Sequence, residues 1–245
     1  MTNPLRQSKN IFWVKAELSV EVDMKIKAAI FDMDGTLVDS LMFWEDFWAK
    51  LNEKYIKQEN FTPATEIDKD IRSMIFADAI LTIKNYYNIS APIEELWEYA
   101  NNGVEQFYRE VAVIKDGAID MLEYLKSKNI KICLASATQR KFINVAIESC
   151  GIADYFDCVL SCCEIGVGKD RPDIYLLAKD KLGCKIEEAC VFEDSYLALE
   201  TARSAGFRTA GLYDKYNYEH ERLRASSDIY MDKGETLADL IEFIE

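Results

Sequence analysis

Along most of this chain short apolar runs alternate with amphipathic stretches, and that rhythm limits the possible folds more than any other feature. The clearest runs are 27–31, 131–135, 158–160, 189–192 and 208–212, with 228–231 weaker. Each has strand length, and between them apolar residues recur at helical spacing. One helix is predicted from near Gly117 to Lys128, with Leu122 and Leu125 among its apolar positions, and another ends at Cys150-Gly151. A third has Pro172 in its opening turn and Gly183 just past its end, and a fourth follows Ser195 and closes at Gly206. Strands alternating with helices predict an α/β fold with a doubly wound parallel sheet.

The segment from about Leu41 to Val111 breaks the rhythm and contains no convincing strand. Trp44, Phe47, Trp48, Leu51 and Tyr55 recur at helical spacing, as do Leu96, Tyr99, Val104 and Phe107. An all-helical block inserted there would lie over the carboxyl edge of the sheet. The expected organisation is an α/β core from 24–39 and 112–245, a helical cap over 40–111, and an extension over 1–23 ahead of Met24. The hinges fall near 38–40 and 111–116.

With 245 residues, 49% of them hydrophobic and 29% charged, the chain can bury a substantial core. Lys and Arg number 29 against 43 Asp and Glu, a net charge of −14, which argues against gripping nucleic acid or an anionic membrane. No apolar stretch is long enough to span a bilayer. The seven cysteines are odd in number and contain no CxxC pair, so structural thiols in a reducing, cytoplasmic compartment are expected. A monomer is favoured.

Chemistry concentrates where the apolar runs end. The first leads into Asp32-Met33-Asp34-Gly35-Thr36-Leu37-Val38-Asp39-Ser40, the second into Ser136, and 189–192 into Glu193-Asp194. Lys169 lies in the loop Gly168-Lys169-Asp170-Arg171-Pro172. In a doubly wound sheet these strand ends converge on one crevice. Asp32, Asp34, Glu193 and Asp194 would repel one another there unless a cation sat among them, and Mg²⁺ suits an all-oxygen site. Asp32 is then the candidate nucleophile and Asp34 the candidate acid/base. Ser136 and Lys169 are placed to hold a phosphoryl group. Gly166-Val167-Gly168-Lys169 does not make a nucleotide phosphate loop, because Cys163 replaces the first Gly and Asp170 the Ser/Thr. Asp39 is expected to be structural, and His220, the single histidine, to be solvated.

These residues in this order resemble the haloacid dehalogenase (HAD) superfamily, in the β-phosphoglucomutase-like phosphatase branch with a helical cap. The resemblance covers 25–245. Asp32-Met33-Asp34-Gly35-Thr36 is similar to its first motif, and Ile132 to Ala137 to its second, in which the Ser136 hydroxyl and the backbone N–H of Ala137 would hold phosphate. Gly168-Lys169 with Pro172-Asp173-Ile174-Tyr175 resembles the third motif. Val191-Phe192-Glu193-Asp194-Ser195 resembles the fourth, which would supply magnesium carboxylates. The resemblance also implies that the backbone carbonyl of Asp34 is a metal ligand. It implies a Mg²⁺-dependent phosphatase that hydrolyses a small phosphorylated metabolite through an aspartyl phosphate.

Two rival functions follow from the same residues. A sugar-phosphate mutase of this branch carries a cap histidine near the position of Trp44, and its substrate loop is richer in Gly and polar residues than Arg72-Ser73-Met74-Ile75-Phe76-Ala77-Asp78. A non-enzymatic phospho-aspartate switch should not place a hydrolytic base beside its phosphoaspartate. Ala198 stands where the fourth-motif helix usually has Gly, a change expected to be accommodated by packing.

Overall fold

A computed structural model describes residues 24–71 and 74–245. The expected extension over 1–23, and Arg72 and Ser73 of the cap loop, lie outside the described residues. Among the described residues eight strands form, β1 (Ala28–Phe31), β2 (Val38–Asp39), β3 (Val113–Ile114), β4 (Lys131–Ser136), β5 (Cys158–Ser161), β6 (Ala189–Glu193), β7 (Arg208–Leu212) and β8 (Ile229–Met231). Six of them make one sheet in the order β5-β4-β1-β6-β7-β8. Every neighbouring pair in it is parallel. The predicted α/β class and doubly wound sheet are what the chain adopts, with strand ends within a residue of those read from the apolar runs.

Parallel strands need helical crossovers, and helices on both faces explain why the runs are continuously apolar. Ala29 and Phe31 of β1 join Ile132, Leu134, Cys190 and Phe192 in a core on one face, closed by α5 (Ala118–Ser127) and α6 (Arg140–Ser149). Ala28 and Ile30, one step out of phase, face the other way with Cys133, Ala135 and Val191. There they meet Ile174, Tyr175 and Ala178 of α8 (Asp173–Leu182) and Ala202 of α9 (Tyr196–Ser204). Gly183 takes the left-handed conformation that ends α8, at φ 72°.

The insertion folds as α1 (Phe43–Leu51), α2 (Thr65–Ile71), α3 (Phe76–Tyr86) and α4 (Ile93–Glu110). Phe47, Trp48, Leu51, Ile67, Ile80, Ile83, Leu96 and Ala100 give it a core of its own. The aromatic stripe read from the sequence therefore packs the inside of this block. α2 and α3 were not legible as periodic patterns. Two further short helices, α7 (Cys162–Ile165) and α10 (His220–Ala225), lie in the α/β part.

The predicted hinge segments contain a feature too short to read from periodicity. β2 and β3 pair antiparallel, Val38 with Ile114 and Asp39 with Val113, so the two chain crossings are tied together. A second tie joins the insertion to the loop after β7. Asp68 of α2 accepts from Trp48 Nε1 at 2.7 Å and from the Tyr218 hydroxyl at 2.8 Å. His220 corrects an expectation, since it is half-buried rather than solvated. Its ring lies 4.5 Å from that of Tyr213, which covers an apolar side of the imidazole.

Phe31 and Phe192, adjacent in register, stack at 4.3 Å directly beneath the residues that end β1 and β6. Both are fully buried. Phe192→Ala should lower stability by about 3–5 kcal/mol, read as a reduced midpoint in urea unfolding.

Candidate active site

Parallel register decides which side chains meet. Phe31 lies level with Leu134 on one side and Phe192 on the other. Asp32, one step beyond, therefore emerges beside Glu193, and Ser136 ends the neighbouring strand. Chain direction places all of these at the carboxyl edge. A cavity of about 410 Å³ opens there, lined by Asp32, Asp34, Ser136, Ala137, Lys169, Glu193 and Asp194 and, from the insertion, by Trp44, Phe76 and Tyr108 among others. Every residue singled out in the sequence as a site candidate thus lines one cavity.

Lys169 sits at the centre of the charge balance. Its ammonium donates to Asp32 Oδ1 and, at 2.7 Å, to Glu193 Oε2, with only 5% of the residue exposed. The Tyr175 hydroxyl donates to the same Glu193 oxygen at 3.3 Å. Burial alone would strip the Lys169 charge, but the carboxylates of Asp32 and Glu193 outweigh it and hold its pKa well above the ordinary value.

Asp32, Glu193 and Asp194 each offer an oxygen within 4.8 Å of the others, and all three residues are buried. Burial first, and then repulsion from Glu193, push the Asp32 carboxyl up to about 8, with Lys169 opposing. Asp194 is driven up by burial, then by Glu193 and Asp32. If all three were ionised, three carboxylates against one ammonium would leave two negative charges in excess, a repulsion that adds to burial in raising Asp32 and Asp194. The donors are all hard oxygens. That set fits a divalent, oxygen-loving cation.

The loop after β1 is shaped around Asp194. Gly35 has φ 81°, and a Cβ there would stand 2.7 Å from Asp194 Cγ and 2.9 Å from Leu41 Cδ1. Glycine is required on both counts. Thr36 Oγ1 donates to Asp194 Oδ1 at 3.2 Å, and Asn217 Nδ2 donates to Oδ2 at 2.7 Å. The Ser136 hydroxyl accepts from the Thr138 backbone N–H at 3.0 Å, leaving its own proton for a ligand.

Asp34 departs from the expected crowding of four carboxylates. Its side chain is not part of the three-carboxylate group. Instead Oδ1 accepts from Ser40 Oγ and from the Tyr108 hydroxyl, both at 2.6 Å, and Oδ2 accepts from Thr138 Oγ1 at 2.9 Å. Thr36, Ser40, Tyr108, Thr138 and Asn217 were given no role in the sequence reading. Thr36 stands inside the first motif, Ser40 four residues after it, and Thr138 two residues beyond Ser136. Tyr108 and Asn217 carry no local signal.

Residues 26–206 match the model of the haloacid dehalogenase-like hydrolase family. The chain belongs to that family. Over 221 residues it is 28% identical to a phosphorylated carbohydrates phosphatase of Thermotoga maritima, covering 89% of this chain and 100% of that protein. A validoxylamine A 7'-phosphate phosphatase of Streptomyces hygroscopicus is 24% identical over 204 residues, 79% of this chain and 88% of the relative. Among solved structures, a β-phosphoglucomutase of Clostridium difficile shares the fold at a TM-score of 0.71 and 23% identity, covering 88% of this chain and 93% of that one. This HAD-like enzyme is a phosphoric monoester hydrolase of the β-phosphoglucomutase-like branch. Among the described residues no helix is long and apolar enough to cross a membrane.

The Asp32 shift has a consequence for stability. A carboxyl raised from 3.8 to about 8 binds its proton more tightly folded than unfolded. Stability is then greatest below the unfolded value and falls as pH rises through that window. Melting temperature measured in EDTA should decline between about pH 5 and about pH 8, and Asp32→Asn should flatten the decline.

Proposed function

We propose that this HAD-like hydrolase is a Mg²⁺-dependent phosphatase that cleaves small phosphorylated metabolites through an aspartyl phosphate on Asp32. The observation that carries this reading is the grouping of buried Asp32, Glu193 and Asp194 in one cavity, with the Lys169 ammonium paired to the first two. Asp32 and Asp194, with Glu193 and the Asp34 backbone carbonyl, would hold the ion. When bound it supplies positive charge against the phosphoryl oxygens. The helical block over 40–111 acts as a cap on the core formed by 24–39 and 112–245.

In the first half-reaction an Asp32 carboxylate oxygen attacks phosphorus and the bond to the leaving oxygen breaks. Asp34 gives that oxygen a proton, so an alcohol departs. In the second, water attacks the phosphorus of the aspartyl phosphate while Asp34 takes a proton from it. The bond from phosphorus to Asp32 breaks, inorganic phosphate leaves, and Asp34 is again protonated. Ser136, the Ala137 N–H and Lys169 hold the transferring group, whose charge spreads over its equatorial oxygens. Trp44 lines the cavity, and near its position in the sequence a mutase of this branch carries a histidine that this chain lacks, which supports hydrolysis over transfer back to a sugar. The relatives named phosphatases support the same reading.

The test is phosphate release from a panel of sugar, nucleoside and other alkyl phosphates, with and without Mg²⁺. Release should require Mg²⁺ and vanish in Asp32→Asn while the circular dichroism spectrum is unchanged. An active Asp32→Asn enzyme would end the covalent mechanism. Asp34→Asn should slow breakdown of the phosphoenzyme, visible as persistent label after a pulse of ³²P-substrate.

A further inference from the structure

We propose that Tyr108 is a positioning residue for Asp34, aligning its carboxyl toward the leaving oxygen from a helix of the insertion; this rests on the reading of Asp34 as acid/base. The Tyr108 ring is buried, and its hydroxyl donates to Asp34 Oδ1 at 2.6 Å across 74 residues of sequence. Ser40 shares that oxygen from the hinge segment, and Thr138 holds the other from the loop after β4. Asp34 is therefore held by hydroxyls from three separate parts of the chain.

The chemistry of those partners suits a group that must cycle. A hydroxyl carries one donor and two acceptor lone pairs, so it can turn from donating to accepting when the carboxyl takes up a proton. An ammonium or guanidinium in the same place could only donate, and would favour the ionised form alone. The shell thus stays satisfied in both states of the carboxyl.

Helix α4 gives Tyr108 a firm base. Its earlier residues Leu96 and Ala100 belong to the core of the helical block. Val104, Phe107 and Tyr108 belong to the core of the sheet, and α4 packs along α6. One continuous helix thus runs from the interior of the insertion to the acid/base, so packing at one end bears on the position of Asp34 at the other.

Tyr108→Phe keeps the ring and removes only the O–H. It should lower kcat/KM for the best alkyl phosphate of the panel by about tenfold, the loss expected for a hydrogen bond to a charged group. For p-nitrophenyl phosphate, whose leaving oxygen departs without a proton, the fall should be much smaller. In an Asp34→Asn background, under single turnover of the alkyl phosphate, losing the phenol should add nothing further. Equal falls on both esters, no fall on the alkyl ester, or additive losses with Asp34→Asn would each overturn the proposal. Full turnover by Asp34→Asn alone would instead overturn the acid/base reading itself, and the proposal with it. Inactive Asp34→Asn with an unaltered Tyr108→Phe would remove only the proposal.

Discussion

The buried contact of the Lys169 ammonium with Asp32 and Glu193 is the constraint around which the rest of this structure is arranged. Three carboxylates at a sheet edge would repel one another in the low dielectric of a protein interior, and one ammonium offsets only part of that repulsion. The negative charge left over would be relieved by a cation among these oxygens. Tyr175, Thr36 and Asn217 keep Glu193 and Asp194 supplied with hydrogen bonds, so these oxygens are not left as unpartnered buried groups.

That charge cluster needs a rigid floor. The stacked rings of Phe31 and Phe192 supply it, and parallel register holds the ends of β1 and β6 at the same level. Apolar packing on both faces of the sheet leaves those strands little freedom to shift. A slip of one residue would exchange the two faces and carry Asp32 away from Glu193. Precision at the site is thus inherited from the core beneath it, and the glycine at position 35 allows the loop to fold tightly against Asp194.

Above the site, the helical block contributes aromatic walls, the Tyr108 hydroxyl and the charged side chains of Lys69 and Asp70. The Tyr218 hydroxyl joins the loop after β7 to Asp68 of α2, and the Tyr108 hydroxyl joins α4 to Asp34. Each link is made through a phenol hydroxyl. The short β2 and β3 pair ties the two crossings between block and core at the base.

Much of the α/β fold was legible because it is written locally. Apolar runs of strand length, Gly183 after α8 and Pro172 before it, and polar residues at the run ends each act through neighbours a few positions away. The same holds for Asp32, Ser136, Glu193 and Asp194, singled out by their place at the ends of apolar runs and, with Lys169, by the motif resemblance, and whose strand polarity implied their convergence. What only the tertiary structure decided is which partners those groups meet. Thr36 reaches Asp194 across 158 residues, and Tyr218 reaches Asp68 across 150. The three hydroxyls that meet the Asp34 carboxylate belong to the same class. Single residues of this kind carry no periodicity, and the hydrogen bonds that give them a role exist only once the sheet and the helical block have closed around the cavity.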